Sequence, residues 1–124
     1  MNRALILHNP VTAASKEDEL DVLNQAQYIE TALDDLEYSY QRMAFDLNTN
    51  DLLNTIKKDD ISVVFNLVET INGSSRLNFI ASAFLELSKV HFTGSGAEAI
   101  FETTEKIVCK TILGAYKLNT PLWA

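Results

Sequence analysis

The sequence predicts an α/β domain: a Rossmann-like three-layer fold with a mainly parallel sheet of about four strands and helices on both faces. Three observations carry this. Short apolar runs of strand length alternate with segments of helical period along the 124 residues. The run ISVVFNLV, Ile61 to Val68, is apolar at nearly every position, as in a central parallel strand covered by helices on both sides. Each run ends in polar or flexible residues that mark a connection, and strands alternating with helices in this way imply right-handed crossovers.

Taken in order, ALILH (Ala4 to His8) is the first strand, and NPVTAA breaks it. Ser15 with Asp18 fits a capping box opening a long first helix, with Leu23, Ala26, Ile29, Leu33 and Leu36 at helical spacing. YSYQRMAF (Tyr38 to Phe45) is aromatic-rich and reads as the second strand. Asn48 caps a short helix carrying Leu52, Leu53 and Ile56, and KKDD ends it. After the Ile61 to Val68 strand, ETINGSS is a loop. Leu77, Ile80, Ala81, Phe84 and Leu85 mark an amphipathic helix. KVHFTG is a short fourth strand. Ser95-Gly96-Ala97-Glu98 is a second capping-box pattern, and Thr103 or Thr104 opens a last helix to about Leu118, stopped by Asn119-Thr120-Pro121.

Composition narrows the function. The chain is 47% hydrophobic and 22% charged, in the range of a globular domain with one sizeable core. Its net charge is −7, and Ser15 to Glu37 holds eight acids against one lysine. Nucleic acid requires a basic face, so it is an unsuitable partner. No apolar run reaches the ~18–20 residues of a membrane span, and the N-terminus lacks a signal-peptide pattern. The one cysteine, Cys109, cannot form an internal disulfide and reads as a packed thiol, in keeping with a cytoplasmic location. His8 and His91 lie at or in strands and read as satisfied histidines. No zinc-ligand spacing and no Ser-His-Asp order is present, and no catalytic residue is assigned.

In open parallel sheets ligands bind beyond the carboxyl ends of the strands. Three loops qualify: His8-Asn9-Pro10, Glu69 to Gly73, and Thr93-Gly94-Ser95-Gly96. Gly94 and Ser95 serve either a tight turn or close backbone approach to a ligand, before a helix N-terminus that favours anions. Glu69, straight after the buried strand, is either a loop-bridging carboxylate or a substrate contact. A carboxylate there must be solvated or paired. Asn9, in the first loop, is the remaining candidate substrate contact.

Together, VVFNLVETINGSSRL, VHFTGSGAEAI and TTEKIVCKTILGAYKLNTPLW resemble the D-alanine–D-alanine ligase family of ATP-grasp enzymes. The matching features are Val64-Phe65, Gly73, Phe92-Thr93-Gly94-Ser95-Gly96, Lys106, and Pro121 with Trp123. The likeness is good from about Ile61 to Trp123 and rests mainly on element order before that. It implies a pre-ATP-grasp domain over 1–102 and, over 103–124, a linking helix and the start of a central ATP-grasp domain that is missing here. The parent enzyme it implies is an ATP- and magnesium-dependent carboxylate–amine ligase acting on a small amino-acid-like substrate. This chain alone would then be incomplete and inactive, with no cofactor of its own. Lys106 matches a family lysine that contacts ATP phosphates, and a compact ammonium suits that role.

Two positions depart from the family. Its first loop carries Gly-Gly-x-Ser-x-Glu, whose Glu holds the ammonium of the first D-alanine; here it is HNPVTAAS. Its third strand is followed by His-Gly, where this chain has Glu69-Thr70. These departures resemble a divergent branch in which Glu69 replaces the missing carboxylate. The resemblance also implies a homodimer, pairing through helix faces near Leu77–Leu87 or Ile107–Leu118. A stand-alone, non-catalytic binding or dimerisation module derived from the fold is the alternative. A response-regulator-like domain fits less well, because it needs paired acids after strand one and an Asp ending strand three.

Overall fold

The structure is a computed structural model and describes residues 3–15 and 17–122. The elements are β1 (Arg3–His8), α1 (Glu17–Asp35), β2 (Ser39–Ala44), α2 (Thr49–Lys58), β3 (Ile61–Leu67), a 3-10 turn (Ser75–Leu77), α3 (Phe79–Ser88), β4 (His91–Phe92), α4 (Ala97–Thr104) and α5 (Lys106–Ala115). All strand pairs are parallel, in the order β2-β1-β3-β4. This is the α/β architecture the alternating pattern predicts.

β1 is the centre of the molecule. Ala4, Leu5, Ile6 and Leu7 are all fully buried, so the run is apolar without alternation. Ala4 and Ile6 face α1, with Ala26 and Leu33. Leu5 and Leu7 face the opposite layer, with Phe45, Leu52, Ile56, Ala81 and Leu85. α2 and α3 cover this second face and α1 the first, which makes three layers.

Coverage of β3 is less even than its composition predicts. Val64 is fully buried, but Val63, Phe65 and Leu67, on the α1 side, are only half-buried. The reason is width. A helix spans about 10–12 Å with its side chains, and parallel strands lie about 4.8 Å apart, so one helix cannot cover four strands. The face of α1 is also shifted from the predicted one. Val22 is buried where the spacing predicts Leu23, and Leu36 is exposed.

β1 and β3 are joined through a bulge. The pairing skips Ser62 between Arg3 and Ala4. Ser62 Oγ donates to the Arg3 carbonyl at 3.3 Å, and the Tyr38 hydroxyl pairs with Ser62 Oγ at 2.6 Å. The carbonyl released by the bulge is thereby satisfied through side chains.

Helix ends show which sequence signals act. Asn48 caps α2 as predicted, its Oδ1 accepting from Asp51 N at 3.3 Å. The Ser15–Asp18 capping box rests on a side chain outside the described residues; the Ser15 hydroxyl accepts from Thr12 N at 3.0 Å. The last helix does not open at Thr103 or Thr104. Thr103 Oγ1 donates back to the Ala99 carbonyl at 2.7 Å and so continues α4, while Glu105, with ψ 103, precedes α5. Nor does Pro121 stop that helix. Lys117 turns into the left-handed region at φ 57, and Leu118 N reaches the Leu113 carbonyl at 2.9 Å, closing α5 before Pro121 is reached. No helix among the described residues is long and apolar enough to cross a membrane.

Candidate functional site

In chain order the sheet first grows from β1 to β2 on one side, then to β3 and β4 on the other. The winding therefore reverses between β1 and β3. In open α/β sheets such a reversal is the place where ligands bind, outside the carboxyl ends of the strands. Asn9 leaves β1 and Glu69 follows β3, so both predicted residues stand at this point. They touch: Glu69 N donates to Asn9 Oδ1 at 3.4 Å. Asn9 is only 4% exposed, so its amide is a fixed clip between the loops and not a solvated surface group.

The Glu69 carboxylate is exposed, and Gln25 of α1 donates to its Oε1 at 3.4 Å. The same Gln25 amide donates to Asp21 Oδ2 at 3.3 Å. Glu69 thus lies in water beside a second carboxylate, with one neutral amide between them. Such an arrangement attracts a cation, because among the described residues neither acid is matched by a basic group across an ion pair.

Around this contact the loops are tied down further. The His8 ring Nδ1 lies 2.8 Å from the Asn9 carbonyl. Asn66 donates through Nδ2 to the buried Ser82 hydroxyl at 3.2 Å and accepts from Val68 N at 3.3 Å. Asn66 N donates to Thr93 Oγ1 at 3.1 Å, which fixes the start of the Gly94–Ser95 loop against β3. Gly94 has φ +95, a conformation that L side chains rarely adopt, so glycine is required for the turn itself.

The N-terminus of α4 is not capped as the Ser95–Glu98 pattern predicts. Gly96 precedes the helix and Ser95 makes no capping bond. Glu86, reaching over from α3, instead accepts from Ala97 N through Oε1 at 2.9 Å. A β-carbon on Gly96 would lie 2.6 Å from that oxygen, which explains the second glycine of the loop. The carboxylate already supplies the negative charge that this helix terminus favours.

Lys106 lies apart from these residues. It opens α5 and lines a cavity of about 360 Å³ with Thr103, Cys109, Lys110, Leu113 and residues 120–122. Lys110 closes that cavity by donating to Thr120 Oγ1 at 2.6 Å and to the Pro121 carbonyl. A single exposed ammonium fits one phosphate contact. No three His, Cys, Asp or Glu side chains cluster as a metal site among the described residues, so no magnesium position is assigned in this chain.

The structure thus joins Asn9 to Glu69, sets Gly94 and Ser95 on the next loop, and leaves Lys106 in a separate cavity. Sequence reasoning missed Gln25, Asp21 and Glu86. The spacing of Asp21 and Gln25, one helical turn apart, is their only local signal.

A parallel sheet with its winding reversal, flanked by helices on both faces, defines the open, doubly wound α/β class. No family model matches the chain, and no curated protein matches it in sequence. Among solved structures it is similar to D-alanine–D-alanine ligase from Bacillus anthracis, with a TM-score of 0.71 and 18% identity over 100% of this chain. It covers 38% of the length of that ligase. The resemblance drawn from the motifs therefore holds at the level of fold: the chain is folded like the N-terminal domain of such a ligase.

Proposed function

We propose that this chain is the N-terminal, substrate-side domain of an ATP-dependent carboxylate–amine ligase resembling D-alanine–D-alanine ligase. The observation that carries the reading is the contact of Asn9 with Glu69 at the winding reversal of a chain folded like such a domain. In this reading Glu69 accepts hydrogen bonds from the ammonium of an amino-acid-like substrate. Asn9 holds the Glu69 backbone, and Gly94 and Ser95 bring main chain close to the ligand. Lys106 contacts the phosphates of ATP. Residues 1–102 form the substrate-side domain, and 103–124 form the linking helix and the entry to a central domain.

ATP would activate a carboxylate for attack by an amine, with magnesium screening the phosphates. Those groups would be held mainly by residues outside this chain, so the chain alone is proposed to be inactive. A cytoplasmic setting follows from the same reading.

The test is a nitrogen-15 amide titration of the chain with D-alanine. A half-site should bind at about 1 mM or weaker, worth about 4 kcal/mol or less. Shifts confined to Asn9, residues 68–73 and residues 94–96, abolished by Glu69→Gln, support the reading. Equal shifts in the Glu69→Gln variant sink it.

The exposed apolar side chains along and just after α5, Ile107 and Tyr116 among them, favour a second reading as a binding or dimerisation module. A concentration-dependent mass in sedimentation, without amine-dependent shifts at Glu69, would select it.

A further inference from the structure

The α4–α5 junction is built differently from the rest of the molecule. α4 is fastened twice to α3. Glu86 accepts from Ala97 N at its start, and Phe101 stands edge-on against Phe79, with ring centroids 5.4 Å apart and planes at 73°. α5 is held more loosely. None of its residues is buried, Ile107 is 63% exposed, and α4 is its main packing partner among the described residues.

One residue connects the two helices. Glu105 has extended backbone (φ −84, ψ 103) between helical neighbours. Its N–H donates to the Phe101 carbonyl at 3.3 Å, ending α4, and its carbonyl accepts from Cys109 N at 2.9 Å, starting α5. A change of dihedral at this residue redirects α5 without breaking a bond inside either helix, which is the geometry of a hinge.

The hinge residue is also held from outside. Arg76 Nε lies 2.5 Å from Glu105 Oε1. Arg76 belongs to the 3-10 turn that ends the segment running from Glu69 to α3. The Glu105 side chain is 18% exposed and that of Arg76 is 74% exposed. A pair of this kind is weak and screened by salt, so it can open and close where a buried pair would lock.

We infer that Glu105 is a hinge and that the Arg76–Glu105 pair is a latch, coupling the loop beyond β3 to the direction of α5. With the latch closed, α5 holds one orientation relative to the sheet. With it open, α5 samples several while α4 stays on α3. The inference rests on the junction alone and does not depend on the ligase reading.

The test is a distance measurement by double electron–electron resonance. Nitroxide labels are placed through Tyr28→Cys on α1 and Tyr116→Cys at the end of α5, both exposed, in a Cys109→Ser background. At low salt the parent should give one narrow distribution. Arg76→Glu should broaden it, and the exchange Arg76→Glu with Glu105→Arg should restore it. Salt at roughly 1 M, where the screening length is about 3 Å, should broaden the parent and leave Arg76→Glu unchanged. A narrow distribution in Arg76→Glu, or failure of the exchange to restore one, overturns the latch. Circular dichroism on each variant separates hinge opening from unfolding. If Arg76→Glu does not fold, Arg76→Gln and the salt series take its place: broadening in both supports the latch, and a narrow distribution in both overturns it.

Discussion

At the scale of single residues, the backbone shows where stability is withheld. The chain has four glycines, and the turns following α1, α2, α3 and α5 place Glu37, Asp60, Lys89 and Lys117 in the left-handed region instead. That region costs an L residue about 1–2 kcal/mol, partly offset because glycine loses more freedom on folding. Glu37 adds an electrostatic cost to the backbone one. Asp34 and Asp35 stand beside it, and the last turn of α1 has no basic residue, so negative charge gathers at the negative end of the helix. Glu37→Gly should therefore raise stability by about 0.5–1 kcal/mol, seen as a higher urea midpoint at constant slope. A lower midpoint would mean that the side chain makes a favourable contact outweighing its backbone. The same scale shows what can be read in advance. Asn9 and Glu69 are legible because each is a polar residue directly after an apolar strand. Gln25, Arg76 and Glu86 are not, because a polar residue on a helix surface or loop acquires meaning only from what stands opposite it.

At the scale of elements, strands are easier to read than helix ends. The apolar runs locate all four strands to within about two residues, since burial leaves little freedom of register. The N-terminus of α4 shows why caps are harder. Ser95 and Glu98 have capping-box spacing, yet Glu86 takes the amide from another helix. This makes a coupled prediction. Gly96 has φ −66 and ψ 165, so alanine fits its backbone, and the harm of Gly96→Ala is displacement of the Glu86 carboxylate. Each of Gly96→Ala and Glu86→Ala should cost about 1 kcal/mol, the value of a lost cap. The double variant should cost little more than either, leaving a coupling energy of about 1 kcal/mol in a double-mutant cycle. Additive losses measured by urea unfolding would show that Glu86 and Gly96 act separately.

At the scale of the whole molecule, the alternation of strands and helices makes the layered sheet legible, but not the place of α5. Apolar residues at helical spacing, such as Ile107, Ile112 and Leu113, read alike whether their face meets its own domain or another surface. The structure places α5 outside the body: ten residues, none of them buried. In contrast, Leu5 is fully buried in β1 at the centre of the larger core. Shortening the chain to end at Glu105 removes half-buried contacts with α4 and should cost about 1–2 kcal/mol, because only part of a few apolar side chains is re-exposed. Leu5→Ala removes one side chain from a close-packed centre and should cost about 3–5 kcal/mol, most of the stability of a marginal domain. Urea unfolding of both variants decides the ranking. If the shortened chain loses more than Leu5→Ala, α5 is part of the folding unit and its exposed face does not make it an appendage. If it loses less and still unfolds in one transition, the sheet with α1 to α4 is the cooperative body and α5 an arm carried on it. Only an arm outside the cooperative unit can change direction without loosening the loops that hold Asn9 and Glu69.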